Sequence, residues 1–321
     1  MRIFVAGATG AIGRRLVPLL ASAGHDIVAS TRKPENLATL ETHGAKPILL
    51  NGLDAAAVMR AVMSVAPDAI VHEMTALASL RSFKYFDDEF AATNRLRTDG
   101  TKNLIEAARA AGVPSLIAQS YAGWPSVRRG GRIKTESDSL SRSVPVTMTK
   151  SLAAIRTLEE TVCQSTDVRG AVLRYGSFYG PGTYIAPNGE MVDLVRKGKF
   201  PIVGTGSGVW SFIHVDDAAR ATLLALERGA TGLFNIVDDE PVEVSIWLPE
   251  LARIVGAKPP RHLPVWLARW LVGDAGILMM TEARGASNAK AKAELGWQPD
   301  FFNWRDGFRH ELGARALVGV R

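Results

Sequence analysis

Cysteine and clustered charge are both scarce in this sequence. Its single cysteine, Cys163, excludes an internal disulfide and a cysteine-based metal cluster, and it indicates a reducing compartment. The helical pattern around Cys163 predicts a small buried residue. The formal net charge is +6, and the Lys and Arg residues form no stripe interleaved with aromatics. We therefore expect no nucleic-acid partner, whereas a mildly basic surface suits a phosphate-bearing cofactor or an anionic substrate.

Long apolar segments are also absent. A membrane span needs roughly 18–20 apolar residues, and the nearest stretch, 263–280, is interrupted by Arg269 and Asp274. We predict an amphipathic helix there, packed on the C-terminal part of the fold. Its apolar face would carry Trp266, Trp270 and Leu271. The run 1–6 lacks the n-region and cleavage site of a signal peptide, so we expect a cytoplasmic protein without membrane contact.

Short apolar runs alternate with helical patterns along the first half of the chain. Strands are predicted at 2–6, 26–30, 47–50, 69–72 and 115–118, with later strands at 170–174 and 233–237. Helices are predicted at 13–23, 36–42, 55–65, 97–111 and 151–164. This alternation predicts an α/β fold, a Rossmann-type doubly wound parallel sheet with its ligand crevice at the carboxyl ends of the strands.

The predicted elements divide into two units. Residues 1–176 would form an NAD(P)-binding Rossmann domain, to whose sheet a strand at 232–238 returns. Residues 177–231 and 239–321 would form a smaller C-terminal substrate-binding lobe. The segment 179–208 is rich in Gly and Pro, as expected of loops that build a binding site.

A glycine-rich turn joins the first predicted strand to the first helix. Gly7 would permit the tight turn, Gly10 would let the backbone approach a pyrophosphate, and Gly13 would allow close packing of helix on strand. The helix N-terminus then presents N–H groups and a positive dipole end to the phosphates. The other residues predicted to line this turn are Thr9, Ala11 and Ile12.

The end of the second strand bears on which dinucleotide binds. An NAD-binding protein usually places an acidic residue there to hold the ribose, but no carboxylate occurs before Glu35. Arg32 would instead pair with a 2′-phosphate, with Arg14 or Lys33 assisting. The sequence therefore favours NADP(H), with NAD(H) as the alternative.

Several motifs in order now carry a family resemblance. With the glycine turn, the chain resembles the extended short-chain dehydrogenase/reductase superfamily, the NAD-dependent epimerase/dehydratase group. The other matching segments are Asn51-Gly-Leu-Asp54, Ala69-Ile-Val-His72, Gly100-Thr-Lys-Asn-Leu104, Arg174 with Phe178-Tyr-Gly-Pro-Gly182, His214-Val-Asp-Asp217 and Leu295-Gly-Trp-Gln-Pro299. Beyond the turn and Arg32, the resemblance implies cofactor contacts from Asn51, Gly52, Met74, Thr75, Arg97, Lys150, Tyr175, Gly176 and Phe178.

The catalytic residues depart from the family pattern. The family uses a Tyr-x-x-x-Lys pair for proton transfer, and the helix that offers Lys150 has Val146 four residues earlier. Where the family places a catalytic Ser or Thr, this chain has Tyr121, preceded by Ser120. Three interpretations stay open. In the first, Tyr121 donates the proton, supported by Ser120 and Lys150. In the second, a group on the substrate replaces the tyrosine, and in the third the protein binds NADP(H) without turnover.

Another departure bears on the substrate. Nucleotide-sugar members of the family hold a diphosphate with an arginine at the position that Trp210 occupies here. The resemblance thus favours a smaller, less charged substrate, held by Tyr121, Trp124, Tyr179 and Trp210. His72 and His214 have no metal-ligand spacing, so we predict no metal site.

The leading hypothesis is an NADP(H)-dependent oxidoreductase acting on a small carbonyl or alcohol. The alternatives are a non-catalytic NADP(H)-sensing binding protein and a nucleotide-sugar epimerase or dehydratase. Since the family often dimerises through a helix pair, the resemblance implies a homodimer through the helices at 97–111 and 151–164.

Overall fold

The centre of the molecule is a seven-stranded parallel sheet. The structure, a computed structural model, describes residues 1–77 and 83–313. Its sheet strands are β1 Arg2–Ala6, β2 Asp26–Thr31, β3 Lys46–Leu49, β4 Ala69–His72, β5 Ser115–Tyr121, β6 Arg169–Tyr175 and β7 Gly232–Ile236. Their spatial order is β7-β6-β5-β4-β1-β2-β3, so the direction of winding reverses between β1 and β4. Such a reversal opens a crevice at the carboxyl ends of the two strands.

Helices cover both faces of this sheet, and several later ones pack around a separate apolar core, which we call the lobe. They are α1 Gly13–Ser22, α2 Leu37–Thr42, α3 Ala55–Val65, α4 Phe86–Glu89, α5 Ala91–Arg95, α6 Thr101–Ala111, α7 Thr149–Cys163, α8 Glu190–Arg196, α9 Val215–Glu227, α10 Val244–Ile254, α11 Val265–Leu271, α12 Gly273–Thr281 and α13 Trp304–Leu312. Short two-strand pairs join Ser177–Tyr179 to Phe212–His214, Ile202–Val203 to His262–Leu263, Val209–Trp210 to Val242–Glu243, and Ile133–Lys134 to Gly285–Ala286.

The sequence of β1 explains its central position. Ile3, Phe4, Val5 and Ala6 are all fully buried, as required of a strand that is covered on both faces. Ile3 and Val5 belong to the core under α1 and α9, whereas Phe4 and Ala6 belong to the core under α3 and α6. A third core, in the lobe, contains seven buried aromatic side chains, among them Phe212, Trp247, Trp304 and Phe308.

The predicted α/β class and Rossmann-type sheet are confirmed, with two local differences that matter for the site. Residues Leu96–Gly100 form a π-helical turn before α6, where the sequence predicts regular helix from 97. The fifth strand continues to Tyr121 instead of ending at 118. The division into two units stays a prediction, and α9, from the segment assigned to the lobe, packs against α1 on the sheet.

Two predictions about apolar residues are wrong. Cys163, expected to be buried, is exposed at the end of α7. The segment 263–280 forms two helices that break at Gly273, whose φ is 68°. The face with Trp266 and Trp270 lies outward, 69% and 74% exposed, because α11 packs inward mainly through Ala268.

Among the helices within the described ranges, none combines the length and the apolar character that crossing a membrane would require.

Candidate functional site

The glycine turn forms an open cradle between β1 and α1. A Cβ on Gly7, whose φ is 92°, would lie 2.6 Å from the Glu73 carbonyl, and one on Gly13 would lie 2.6 Å from the Ala8 backbone. A Cβ on Gly10 would approach described atoms no closer than 3.4 Å, the distance to the Gly7 carbonyl oxygen. Gly7 and Gly13 are thus required by the fold itself, whereas Gly10 leaves space for a ligand.

The N-terminus of α1 is suited to the phosphates of a dinucleotide. No side chain caps the helix, and within the described ranges the N–H groups of Ala11 and Ile12 have no acceptor. The adjacent Arg14 donates from Nε to the Thr9 carbonyl at 2.9 Å, which fixes the outer wall of the turn. Free N–H groups at a helix N-terminus bind anions, so these residues fit a pyrophosphate.

The end of β2 leaves one arginine available. Thr31 Oγ1 accepts from the Lys33 N–H at 3.1 Å, and Lys33 Nζ lies 4.0 Å from a Glu35 oxygen. Arg32 is exposed and has no ion-pair partner in the described part of the chain. Its guanidinium is therefore free to meet a ligand phosphate.

The opposite wall of the cleft comes from the ends of β3 and β4. Met74 is buried against Gly52, where a Cβ would lie 2.3 Å from its Sδ. Asn103, from the Gly-Thr-x-Asn-Leu motif, donates from Nδ2 to the Gly52 carbonyl at 3.0 Å. Asn51 is exposed and Thr75 is half-buried at the same edge. The motif asparagine thus anchors the loop that carries two of the predicted cofactor contacts.

A buried carboxyl group lies behind the glycine turn. Glu73 accepts from the Tyr175 hydroxyl at 3.2 Å, while its second oxygen has no partner among the described residues. Burial raises the pKa of Glu73 to about 8. The Tyr175 hydroxyl also lies 2.7 Å from Thr222 Oγ1, so both of its hydrogen-bond partners are buried side chains of the core. Sequence reasoning missed Glu73, although an acidic residue directly after an apolar strand is a usable signal.

A cluster of three hydroxyl groups lies at the carboxyl end of β5 and β6. The hydroxyls of Tyr121 and Ser177 are hydrogen-bonded at 3.0 Å. Tyr184, 38% exposed on the loop after β6, lies close by: partial burial and the proximity of Tyr121 raise its pKa, and contact with Ser177 opposes this rise. Burial also raises the pKa of Tyr121. This hydroxyl cluster, Tyr121, Ser177 and Tyr184, offers neutral hydrogen-bond donors.

Ser120 faces the other side of the sheet. Successive residues of a strand alternate between faces, and Ser120 Oγ donates to Glu159 on α7 at 2.8 Å. The same carboxylate accepts from Arg174 Nε at 2.8 Å. The structure therefore does not bring Ser120 and Tyr121 together as a catalytic pair. Ser177 is the hydroxyl that contacts Tyr121, and its only sequence signal is its place after Gly176.

The positions of the family's Tyr-x-x-x-Lys pair lie at the surface. Val146 begins the short 3₁₀ turn before α7 and is 86% exposed. Lys150 is exposed too, and its backbone N–H donates to Asp87 at 2.9 Å. The residue that turns inward from this end of α7 is Ser151, which donates to the same carboxylate at 2.6 Å. No described lysine or arginine contacts the Tyr121 hydroxyl.

Arg97, which the resemblance implies as a cofactor contact, is buried. Its guanidinium lies 6.0 Å from the Phe90 ring, and Nη1 has no partner in the described residues. Burial lowers its pKa to about 10, against the attraction of Glu159. Arg97 lies within the π-helical turn Leu96–Gly100.

The predicted aromatic substrate contacts separate into two groups. Trp124 is buried beside the Phe86 ring, 5.3 Å between centroids, in the small core next to Tyr121. Tyr179 is fully buried in the lobe, 5.3 Å from the Phe308 ring. Trp210 donates from Nε1 to the Met279 carbonyl at 2.8 Å within the same core. The structure therefore gives Tyr179 and Trp210 packing positions instead of places along the cleft.

Two further predicted cofactor contacts, Gly176 and Phe178, lie in the segment that leads from β6 into the lobe. Gly176 is required by close packing, since a Cβ there would lie 2.7 Å from the Ser211 carbonyl oxygen. Phe178 is half-buried, 5.4 Å from the Tyr175 ring. Within the described residues, no three His, Cys, Asp or Glu side chains are grouped to hold a metal ion.

The chain is similar to a known protein family and to several known enzymes. A model of the NAD dependent epimerase/dehydratase family matches residues 3–236. The chain is 43% identical over 312 residues to 3-diazoavenalumate denitrifying reductase from a Streptomyces species, covering 97% of this chain and 100% of that protein. It is 28% identical over 273 residues to 2-alkyl-3-oxoalkanoate reductase from Stenotrophomonas maltophilia, covering 80% and 76%.

A solved structure shows the same fold. UDP-glucose 4-epimerase from Thermotoga maritima, in complex with UDP-glucose, superposes with a TM-score of 0.75 at 24% identity. The alignment covers 99% of this chain and 100% of that one.

Proposed function

Because the chain belongs to the NAD dependent epimerase/dehydratase family and is an NAD(P)-dependent enzyme of the oxidoreductase or epimerase type, we propose that it is a reductase for an already activated aromatic electrophile. The leading substrate class is an aryl diazonium ion. The observation that carries this proposal is the surface position of Val146 and Lys150, which leaves no tyrosine–lysine pair to deliver a proton.

The chemistry of a diazonium ion removes the need for that pair. Carbonyl reduction puts negative charge on oxygen, so it requires a proton donor whose pKa a nearby cation lowers. Reduction of an aryl diazonium breaks the C–N bond, forms a C–H bond with the hydride and releases dinitrogen. The nicotinamide is oxidised and the aryl cation equivalent is reduced, with no proton added. The name of the relative with 43% identity supports this substrate class.

The residues of the cleft support distinct roles in this reaction. NADPH, when bound, supplies the hydride. We assign its pyrophosphate to the N-terminus of α1 and its 2′-phosphate to Arg32, which has no carboxylate partner in the described chain. The hydroxyl cluster would orient the substrate through neutral donors, since the pKa of Tyr121 is raised by burial. Trp124 and Phe86 would close the apolar side.

A substrate panel tests the proposal. Purified protein is supplied with NADPH and either a benzenediazonium salt or a matched aromatic ketone, and dinitrogen release and NADPH oxidation are followed together. We expect one dinitrogen per NADPH oxidised and little ketone turnover. Diazonium loss that is independent of the enzyme, or NADPH oxidation without dinitrogen, would contradict the proposal.

A second candidate is carbonyl reduction, favoured by one observation. The hydrogen bond between Tyr121 and Ser177 places a phenol at the end of β5, where a carbonyl oxygen could accept from it. The same panel separates the two activities, because ketone turnover that is lost in Tyr121→Phe would support this candidate.

A further inference from the structure

Three arginines from two parts of the chain meet beside the hydroxyl cluster. Arg128 and Arg132 lie in the segment after β5, and Arg284 precedes the short strand Gly285–Ala286. The two parts are joined because Gly285 donates its N–H to the Arg132 carbonyl at 3.0 Å. We call Arg128, Arg132 and Arg284 the arginine cluster.

Gly123 connects this cluster to the proposed reaction site. A Cβ at Gly123 would lie 3.4 Å from Tyr121 Cε1 and 3.7 Å from the Arg284 carbonyl oxygen. The tyrosine ring and the Arg284 backbone thus approach one glycine from two sides. The Arg284 backbone therefore lies next to the ring of Tyr121.

The cluster carries more positive than negative charge. Arg128 Nε pairs with Glu282 at 3.1 Å, and Arg132 Nη1 pairs with Glu243 at 2.6 Å. Arg284 has no carboxylate partner in the described chain; its Nη2 and Nε donate to the Arg128 carbonyl oxygen at 2.8 and 3.3 Å. Burial and the charges of Arg132 and Arg128 lower the pKa of Arg284, opposed by Glu282. Three guanidinium groups therefore share two carboxylates.

One donor of the cluster is also unused. Arg128 Nη1 is buried and has no hydrogen-bond partner among the described residues. A buried donor without an acceptor destabilises a fold, and a bound negative group would both accept from this donor and offset the excess positive charge. A carboxylate matches the planar, forked donors of arginine.

We propose that the arginine cluster binds a carboxylate on the substrate, at the end of the molecule away from the reacting carbon. The enzyme then selects aryl carboxylates over neutral arenes of the same shape. The identity of the reacting group rests on the proposed function, whereas the carboxylate site rests on the arginines alone. No residue of this site belongs to the glycine turn.

A pair of ligands that differ in one group tests the site. Cinnamate and cinnamamide are titrated by calorimetry into the protein with NADP⁺ present. We expect cinnamate to bind about tenfold more tightly than cinnamamide, the effect of one charge-assisted contact of roughly 1.4 kcal/mol. In Arg284→Met this preference should disappear while cinnamamide affinity is kept, and Arg284→Lys should restore part of it.

Matched variants make each outcome decisive. Arg60 on α3 is exposed and distant in the fold, so Arg60→Met should keep the full preference. Arg132→Gln provides a second test if Arg284→Met does not fold. Equal affinity for the two ligands in the wild type, or an unchanged preference in the folded variants, would overturn the carboxylate site. The titration involves no turnover, so a lost diazonium activity with an intact preference would overturn only the proposed function.

Discussion

The cofactor cradle and the hydroxyl cluster face the same crevice but obey different constraints. The cradle keeps the family pattern because its glycines are required by backbone packing: Gly7 and Gly13 each leave only 2.6 Å for a Cβ. The hydroxyl cluster departs from the pattern, because Tyr121 stands where the resemblance implies a catalytic Ser or Thr, and Val146 stands at the surface where it implies the tyrosine. A shared fold thus preserves the backbone that binds the cofactor, whereas the side chains around it determine which substrate is reduced.

The largest expected effect is the loss of stability on substituting a glycine of the cradle. Gly7→Ala adds a Cβ against the Glu73 backbone at a φ of 92°, so we expect a loss of about 3 kcal/mol or more in the free energy of unfolding. Gly24→Ala is the control, because Gly24 has a φ of 81° with nothing within 4 Å of a Cβ. It should lose only about 1–2 kcal/mol, the strain of the left-handed backbone. Urea unfolding measures both, and equal losses would contradict the packing argument.

The next effect concerns the buried carboxyl group behind the cradle. Burial raises the pKa of Glu73 from its ordinary value of 4.5 to about 8 in the folded protein. Between these values the folded state holds a proton that the unfolded state has released, so stability falls as pH rises, by at most about 1.4 kcal/mol per pH unit. Glu73→Gln should remove this slope between pH 5 and 8. Urea midpoints across that range measure it, and identical slopes in both proteins would exclude a protonated Glu73.

A smaller expected effect is a change in the preference for NADP⁺ over NAD⁺. Arg32→Gln removes the free guanidinium at the end of β2, so NADP⁺ affinity should fall by about tenfold to a hundredfold. NAD⁺ affinity should change little, because NAD⁺ has no 2′-phosphate. Arg60→Gln, at an exposed arginine on α3, is the matched control. Calorimetric titration with each dinucleotide measures the ratio; a parallel loss of both affinities would argue against a 2′-phosphate contact.

The secondary structure could be predicted from the sequence more fully than the residues of the site. The strand at 69–72 and the helix at 55–65 are found where the apolar periodicity predicts them, because burial on a regular element leaves a local pattern. Tyr184 was missed because it reaches Ser177 from a loop whose path depends on tertiary packing. Ser120 was paired with Tyr121 by motif alone, but strand alternation sends its hydroxyl to Glu159.

The smallest expected effect lies in the hydroxyl cluster itself. If the substrate needs no proton, Tyr121→Phe should keep diazonium reduction within about twofold, since only an orienting hydrogen bond is lost. Ketone turnover, where present, should fall by at least about tenfold, because a proton donor contributes more than that. Steady-state rates of both substrates measure this split, and an equal fall in both would mean that the phenol acts on a common step.

The most direct test follows the hydrogen that reaches the substrate. NADPH carrying deuterium at nicotinamide C4 is mixed with the protein and a benzenediazonium salt, and the arene is analysed by mass spectrometry. We expect one deuterium in each benzene when the NADPH is labelled. We expect no deuterium in the benzene when unlabelled NADPH is used in deuterated water. Unlabelled arene from labelled NADPH, with solvent deuterium incorporated instead, would contradict direct hydride transfer.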